Sequence, residues 1–236
     1  MAQKAIKLLS YFSTGEKILW SASVSVILIS FFIFDRQNFL ALTSSLIGVT
    51  SLIFCAKGNP FGQILMIIFG TLYGIISFGF AYYGEMITYL GMTVPMAVIA
   101  LVSWIKNPYN GNKSQVKVNR IKSAEIVFML VLAAVVTLGF YYVLSAFNTA
   151  NIIPSTISVT TSFIAVYLSF RRSAYFAAAY AANDIVLIVL WVMATRENIT
   201  YLSVTICFIV FLLNDIYAFI NWTKMRKQQM PLTNTN

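Results

Sequence analysis

Histidine is absent from this 236-residue chain, and charged residues make up only 10% of it. Without histidine, the chain lacks the side chain that proteins use most often as a metal ligand and as a general base near neutral pH. Its two cysteines, Cys55 and Cys207, both lie in apolar runs, which excludes a disulfide framework and a cysteine-rich zinc site. Soluble domains contain about 25% charged residues. A soluble domain is therefore excluded, and no metal or cofactor is expected.

Apolar sequence takes the place of these groups, since 59% of the residues are hydrophobic. A membrane-spanning helix needs about 20 mostly apolar residues, and eight runs meet this requirement. The segments between them are too short to form a soluble domain, so the sequence predicts an all-α polytopic membrane protein. The predicted spans cover residues 18–34, 39–56, 61–83, 86–105, 124–146, 153–170, 174–195 and 199–221.

The basic residues are distributed unequally between the two sides that eight spans create. All but two of the 16 lysines and arginines fall on the side that holds both termini and the polar stretch 106–122. The exceptions are Arg36 and Arg196. Because cytoplasmic loops are enriched in lysine and arginine, we expect a cell-membrane protein with both termini in the cytoplasm. This topological role accounts for the net charge of +9 without nucleic acid as a partner.

A short repeat indicates internal symmetry. Residues 85–90 (EMITYL) and 197–202 (ENITYL) differ only at their second position. The same alignment pairs spans two to four with spans six to eight, and leaves the fifth as a linker and the first as an extra N-terminal helix. An odd linker keeps both triplets the same way up, so we predict SWEET-like parallel repeats with a ligand site near mid-membrane. The predicted units are residues 1–38, 39–105, 106–150, 151–222 and 223–236.

Acidic residues inside the spans are the strongest functional signal. Glu16 and Glu85 lie near span ends, whereas Asp184 and Asp215 lie inside spans seven and eight, each directly after an asparagine. A charge at the bilayer centre costs about 2.5–3.5 kcal/mol on insertion scales. With no basic residue in the interior of these spans, the two carboxyl groups must face protein partners or a water-filled cavity.

Helical spacing groups these acids with amides and aromatic rings. One stripe of span seven contains Tyr180, Asp184 and Trp191, and one stripe of span eight contains Asn214 and Tyr217. Aromatic faces stack on a flat ring, amides bind amides or hydroxyls, and a carboxylate favours a cation. The candidate binding residues are Asn183, Asp184, Trp191, Asn214, Asp215, Tyr217 and Tyr180, with Tyr73, Thr71 and Trp104 in the first triplet.

Some of these residues have a second interpretation. Asn183 and Asn214 are of a type that ties membrane helices together. Trp20 and Trp104 lie near span ends, where belts of aromatic residues form, and we expect them there. Pro95 interrupts the fourth span and predicts a kink, because proline has no backbone N–H to donate.

Motifs spread over nearly the whole chain resemble those of a known family. Residues 178–191 (AAYAANDIVLIVLW) and 197–222 (ending NDIYAFINW) resemble the end of PnuC-type vitamin transporters, and NPFGQ (59–63), YYGE (82–85) and TGEKILW (14–20) fit the same family. The resemblance implies a SWEET-like carrier that assembles as a homotrimer. It also implies uptake of an unphosphorylated vitamin precursor, usually nicotinamide riboside, by facilitated diffusion. A cytoplasmic kinase then traps the substrate for NAD biosynthesis.

The tryptophan-rich motif of the family is present only in part. Trp191 is present, but Leu187 and Ile188 occupy the preceding turn, where some members carry a second tryptophan. Thiamine, riboflavin and deoxynucleosides therefore remain alternative substrates.

Other classes of function are less well supported. An intramembrane enzyme would have to use Asp184 and Asp215 as a dyad, yet helical rise places Asp215 roughly 6–8 Å nearer the cytoplasm. The chain has no G-x-S-x-G segment and no G-x-x-x-x-G-K-[ST] loop, so we expect neither an enzyme nor a self-contained ATP-driven pump. A receptor-like sensor would need an output domain, and the predicted tail is too short for one.

Overall fold

The computed structural model describes residues 11–79, 82–149 and 151–229. Within these residues, eight helices are long and apolar enough to cross a membrane, so the predicted number of spans is confirmed. In chain order they are α1 (Thr14–Phe34), α2 (Phe39–Ala56), α3 (Pro60–Gly79), α4 (Tyr83–Lys106), α5 (Ser123–Ala146), α6 (Ile152–Phe170), α7 (Phe176–Glu197) and α8 (Ile199–Gln229).

Most helix ends fall within a few residues of the prediction, and α8 differs most. The sequence predicts that it ends at residue 221, where the apolar run stops, but the helix continues to Gln229. Lysine, arginine and glutamine favour helix, so the helix does not end with the apolar run. Lys4, Lys7 and residues 230–236, which the prediction assigns to the cytoplasm, lie outside the described residues.

Local sequence explains how two of the helices are shaped. A capping box starts α1, in which the Ser13 side chain accepts from the Glu16 N–H and the Glu16 carboxylate accepts from the Ser13 N–H. In α4 a π-helical turn, Tyr89–Thr93, lies just before Pro95. Proline cannot donate the usual backbone hydrogen bond, so the predicted irregularity occurs at this position.

The helices pack as two triplets with two additional helices. Consecutive helices contact each other within α2–α3–α4 and within α6–α7–α8, while α5 packs against α6 and α1 packs against α8 and α2. Between the triplets, α2 contacts α8 and α4 contacts α6. The first helix of each triplet thus meets the last helix of the other, as a two-fold relation requires. This pattern supports the parallel repeat, which remains a prediction.

The polar stretch after α4 is partly ordered into two short strands. β1 (Pro108–Tyr109) and β2 (Asn112–Val116) form an antiparallel hairpin, a small departure from the all-α prediction. We call the end of the helix bundle that carries this hairpin the hairpin end, and the other the opposite end. At the hairpin end, Trp104 of α4 and Trp222 of α8 belong to the same cluster of buried side chains as Val116.

Backbone hydrogen bonds hold this segment across the hairpin end. The Val116 N–H donates to the Gly58 carbonyl in the α2–α3 turn at 2.9 Å. The Val118 N–H donates to Gln229 Oε1 at 2.7 Å, and Gln229 Nε2 donates back to the Val116 carbonyl at 3.2 Å. Val116 and Val118 are both buried. The hairpin segment therefore covers the end of the bundle instead of extending away from it.

Candidate functional site

Buried polar side chains are concentrated on the interior faces of α7 and α8. Asn183 and Asp184 on α7, and Asn214 and Asp215 on α8, are between 1% and 4% exposed. Polar groups in membrane-spanning helices are costly and commonly mark a solute pathway. These four residues therefore form the candidate polar site.

The carboxyl groups of Asp184 and Asp215 lie within hydrogen-bonding reach of each other. The two carboxyl groups therefore meet across a difference in depth, which the sequence predicts. Counted from Asn198, in the turn between α7 and α8, the two positions differ by about three residues, or roughly 5 Å of helix, which the side chains bridge. Ionised carboxylates only accept hydrogen bonds, so a bond between two carboxyl groups requires one shared proton.

Two tyrosines accompany this acid pair. Tyr180 lies near both Asp184 and Asp215, and Tyr89 of α4 lies near Asp184. The buried Oδ2 of Asp184 has no hydrogen-bond partner among the described residues. A hydroxyl or amide of a bound solute would satisfy this acceptor.

Aromatic rings form a wall beside the acid pair and connect α7 with the first triplet. Trp191 is fully buried, and its Nε1 donates to the Tyr73 hydroxyl at 2.8 Å. The Tyr73 and Tyr89 ring centroids are 4.4 Å apart, and those of Trp191 and Tyr82 are 5.1 Å apart. The predicted stripe from Tyr180 to Trp191 thus continues across the triplet interface through Tyr73.

Asn183 is used within the second triplet. Its Oδ1 accepts hydrogen bonds from Thr161 Oγ1 at 2.8 Å and from Ser162 Oγ at 3.0 Å, both on α6. This geometry supports the interpretation of Asn183 as a tie between helices.

Asn214 and Tyr217 are directed towards α1. Asn214 Nδ2 donates to Ser23 Oγ at 2.9 Å, and the Tyr217 hydroxyl donates to Glu16 Oε1 at 2.9 Å. The structure therefore does not bring these two residues to the acid pair, although Asn214 Oδ1 is buried without a partner among the described residues. Their hydrogen bonds connect the extra N-terminal helix to α8.

Thr71 is half-buried, and its hydrogen bond stays within its own helix. Its hydroxyl donates to the Ile67 carbonyl of its own helix at 2.8 Å. Thr71 and Tyr73 therefore differ in role, because only Tyr73 hydrogen-bonds to the second triplet.

Trp104 is fully buried, so the prediction that it lies in an exposed aromatic belt is wrong. Its Nε1 donates to the Ser169 carbonyl at the end of α6 at 2.8 Å. Trp222 is also fully buried, and its Nε1 donates to the Cys55 carbonyl at the end of α2 at 2.8 Å. Each of these carbonyls also accepts a backbone N–H, from Arg172 and from Gly58 respectively, so the indole adds a second hydrogen bond at each helix C-terminus. Trp20 is partly exposed, in keeping with the belt position predicted for it.

The residue before each of these tryptophans makes the neighbouring bond. Ser103 Oγ donates to the Phe170 carbonyl at 2.9 Å, and Asn221 Nδ2 donates to the Ala56 carbonyl at 2.7 Å. We call Ser103–Trp104 and Asn221–Trp222 the tryptophan clasp. The clasp joins α4 to α6 and α8 to α2, so it closes both triplet interfaces at the hairpin end.

A small cavity lies between α2, the aromatic wall and α8. It is lined by Ser44, Tyr73, Trp191, Cys207 and Phe208, among others, and has a volume of about 20 Å³. Such a volume accommodates about one water molecule. A vitamin-sized ligand therefore requires the triplets to move apart.

Two buried acids were missed as candidates because both lie near helix ends in the sequence. Glu16 accepts from Lys57 Nζ at 3.1 Å in addition to Tyr217, so it is paired. Glu85 is buried without an ion pair among the described residues. Its spacing to Tyr89 on one face of α4 was a signal that could have identified it.

Comparison with known proteins places the chain in a family. The family described as nicotinamide mononucleotide transporter matches residues 38–224. The chain belongs to this family. The predicted PnuC-type resemblance is thereby confirmed, and with it a multi-pass membrane protein of a transporter family.

Individual relatives agree with the family. The chain is 27% identical over 201 residues to the nicotinamide riboside transporter PnuC of Neisseria mucosa, covering 84% of this chain and 76% of that protein. It is 24% identical over 230 residues to the protein of the same name from Haemophilus influenzae, covering 95% and 98%. The fold matches a crystal structure of the vitamin B3 transporter PnuC, with a TM-score of 0.82, 23% identity and coverage of 93% and 94%.

Proposed function

We propose that the chain takes up nicotinamide riboside across the cell membrane by facilitated diffusion. The observation that carries this proposal is the acid pair Asp184–Asp215 beside the aromatic wall of Trp191 and Tyr73. Nicotinamide riboside combines a cationic pyridinium ring, a carboxamide and ribose hydroxyls. Aromatic faces complement the ring, and carboxyl oxygens complement its positive charge, the carboxamide N–H groups and the hydroxyls. The names of the two relatives support the same substrate.

The riboside is a better match than the mononucleotide in the family description. Binding a phosphate calls for arginine or lysine. No lysine or arginine is among the buried side chains in the described part of the chain, where the buried charged residues are all acidic. A phosphate placed beside Asp184 and Asp215 would be repelled.

Rejection of the phosphorylated form explains how a passive carrier could accumulate vitamin. Facilitated diffusion stops when the concentrations on both sides are equal. A cytoplasmic kinase that phosphorylates the riboside keeps the free concentration low, and the product cannot leave through the same site. The trapped product then enters NAD biosynthesis.

We further propose that the hairpin end and both termini are cytoplasmic and that the protein is a homotrimer. The charge distribution supports the orientation, because nearly all lysines and arginines lie on that side. The large row of exposed apolar side chains on α5, including Phe128, Val131 and Val135, supports contact with lipid or with other copies. The trimer itself is inferred from the family resemblance.

The main alternative is a PnuC-like carrier of another vitamin or nucleoside, such as thiamine, riboflavin or a deoxynucleoside. Leu187 is fully buried and Ile188 partly buried next to Trp191, where a second tryptophan would change the pocket. The enzyme alternative requires two acids close together, and Asp184 and Asp215 meet that requirement. However, Asp184 and Asp215 are 4% and 2% exposed, which leaves a hydrolytic water no access in this conformation.

Ligand-dependent thermal stability of the purified chain tests the proposal. A ligand at 100 times its dissociation constant stabilises the folded state by about 2.7 kcal/mol, so nicotinamide riboside should raise the melting temperature. The mononucleotide, thiamine and riboflavin serve as comparisons. Equal stabilisation by the mononucleotide would contradict the argument from charge, and a shift with thiamine alone would select the alternative. Uptake into liposomes without an ion gradient tests the passive mechanism.

A further inference from the structure

Glu85 is a buried acid for which the described residues supply no counter-charge. It lies in the first turn of α4 and is 2% exposed. Among the described residues, its carboxyl group accepts a side-chain hydrogen bond only from Ser158 Oγ of α6, at 3.4 Å to Oε1. Its Oε2 is buried with no partner among the described residues. A carboxylate in this setting is costly unless something else completes it.

The position of Glu85 connects it to the proposed pathway. The residue it contacts, Ser158, belongs to the other triplet, so Glu85 lies at the α4–α6 interface. Tyr73 and Tyr89 both lie near its carboxyl group, and Tyr89 also lies near Asp184. Glu85 is therefore adjacent to the aromatic wall, on the side towards the opposite end of the bundle.

The repeated hexamer shows that this burial is not a property of the motif. Glu197 occupies the same place in ENITYL as Glu85 does in EMITYL, yet Glu197 is exposed at the end of α7. Near-identical local sequence thus yields one acid in solvent and one acid inside the interface. Only the second needs a partner that the described chain does not provide.

We propose that Glu85 is a specificity-determining residue that pairs with the positive charge of the substrate's heteroaromatic ring. The faces of Tyr73 and Tyr89 flank the cation, as carboxylates and aromatic rings together commonly do for ring cations. The Asp184–Asp215 pair then serves the hydroxyl and amide groups of the substrate. This inference rests on the proposed function, because it assumes a cationic vitamin as substrate.

The test compares Glu85→Gln with Glu197→Gln in the purified full-length chain. Each is measured by calorimetry with nicotinamide riboside and with its reduced dihydropyridine form, which has no charge. Loss of a buried charge pair should weaken riboside binding at least about tenfold in Glu85→Gln, while binding of the reduced form changes much less. Glu197→Gln should bind both ligands like the parent chain.

Three results would overturn the inference. They are unchanged riboside affinity in Glu85→Gln, an equal loss for the charged and uncharged ligands, and an equal effect in Glu197→Gln. Should Glu85→Gln fail to fold, Glu85→Asp keeps the charge with a shorter side chain and must retain a preference for the cation over the reduced form.

The failure of the proposed function would look different. In that case the parent chain itself does not bind nicotinamide riboside. The same pair of variants is then measured with thiamine, which carries a cationic thiazolium ring, and with its uncharged deaza analogue. Selective loss of thiamine in Glu85→Gln would support Glu85 as the cation partner although the vitamin was wrong. Binding of neither cation by the parent chain overturns both proposals.

Discussion

The two triplets make matching contacts at one end of the bundle and differ from each other at the other end. At the hairpin end the contacts are matched, because Trp104 bonds the end of α6 as Trp222 bonds the end of α2. At the opposite end, residues 85–90 lead into a π-helical turn with a buried acid, whereas residues 197–202 break into a 3₁₀ turn with an exposed acid. Matched contacts suit a common closure, and unmatched ones suit recognition of an asymmetric solute.

The largest effect is expected from removing one side of the tryptophan clasp. Trp104→Ala deletes a fully buried indole, and such changes cost about 3–5 kcal/mol. Trp104→Phe keeps most of the packing and loses the bond to Ser169, at about 0.5–1.5 kcal/mol. Melting temperatures of these variants and of the matched Trp222 variants measure both effects. Clearly unequal losses in Trp104→Phe and Trp222→Phe would break the symmetry of the hairpin end.

The acid pair lies between the two ends of the bundle. Variants of Asp184 test how the pair holds α7 and α8 together. Asp184→Ala leaves Asp215 buried without its partner and should cost about 1–3 kcal/mol of stability. Asp184→Asn can still donate and accept, so it should cost less. If the asparagine variant melts as low as the alanine variant, the shared proton is not what joins α7 to α8. Riboside affinity measured on Asp184→Asn reports whether the pair also binds the solute.

Variants of Trp191 and Asn214 should separate an effect on solute binding from an effect on the packing of α1 against α8. Trp191→Ala removes a face of the aromatic wall and should weaken binding by about 1–3 kcal/mol, the range for a lost stack. Asn214→Ala removes the bond to Ser23 and should lower stability by about 1 kcal/mol with little change in affinity. Calorimetry and melting curves on both variants check this. A loss of affinity in Asn214→Ala would return that residue to the binding site.

The smallest effects are expected at two glycines near the hairpin. Gly58 and Gly111 both have positive φ, +68° and +76°, so alanine at either costs about 1–2 kcal/mol of backbone strain. At Gly58 an added Cβ would also lie 3.2 Å from Val116 Cγ1, whereas at Gly111 it would meet nothing within 4 Å. Gly58→Ala should therefore melt lower than Gly111→Ala. Equal melting temperatures would show that the hairpin does not press on the α2–α3 turn.

Sequence reasoning located the helices well because each span is an uninterrupted apolar run that the bilayer requires. It could not fix how the helices rotate and approach each other. The depth difference counted along the spans did not show that the side chains of Asp184 and Asp215 reach each other. Trp104 was assigned to a belt because its position near a helix end was the only information available. Glu85 was overlooked for the same reason, since exposure at a helix end depends on which neighbour covers it.

The bonds between Gln229 and the hairpin have a mechanical consequence. Gln229 lies about 21 Å along α8 from Asp215, at a rise of 1.5 Å per residue. If α8 pivots at Asp215, a tilt of about 3° moves Gln229 by about 1 Å, enough to stretch a 2.7 Å hydrogen bond past its useful range. The end of α8 thus acts as a lever that converts a small tilt at the acid pair into release of the Val118 amide. Hydrogen exchange at this one amide would follow the opening of the bundle from its outermost point.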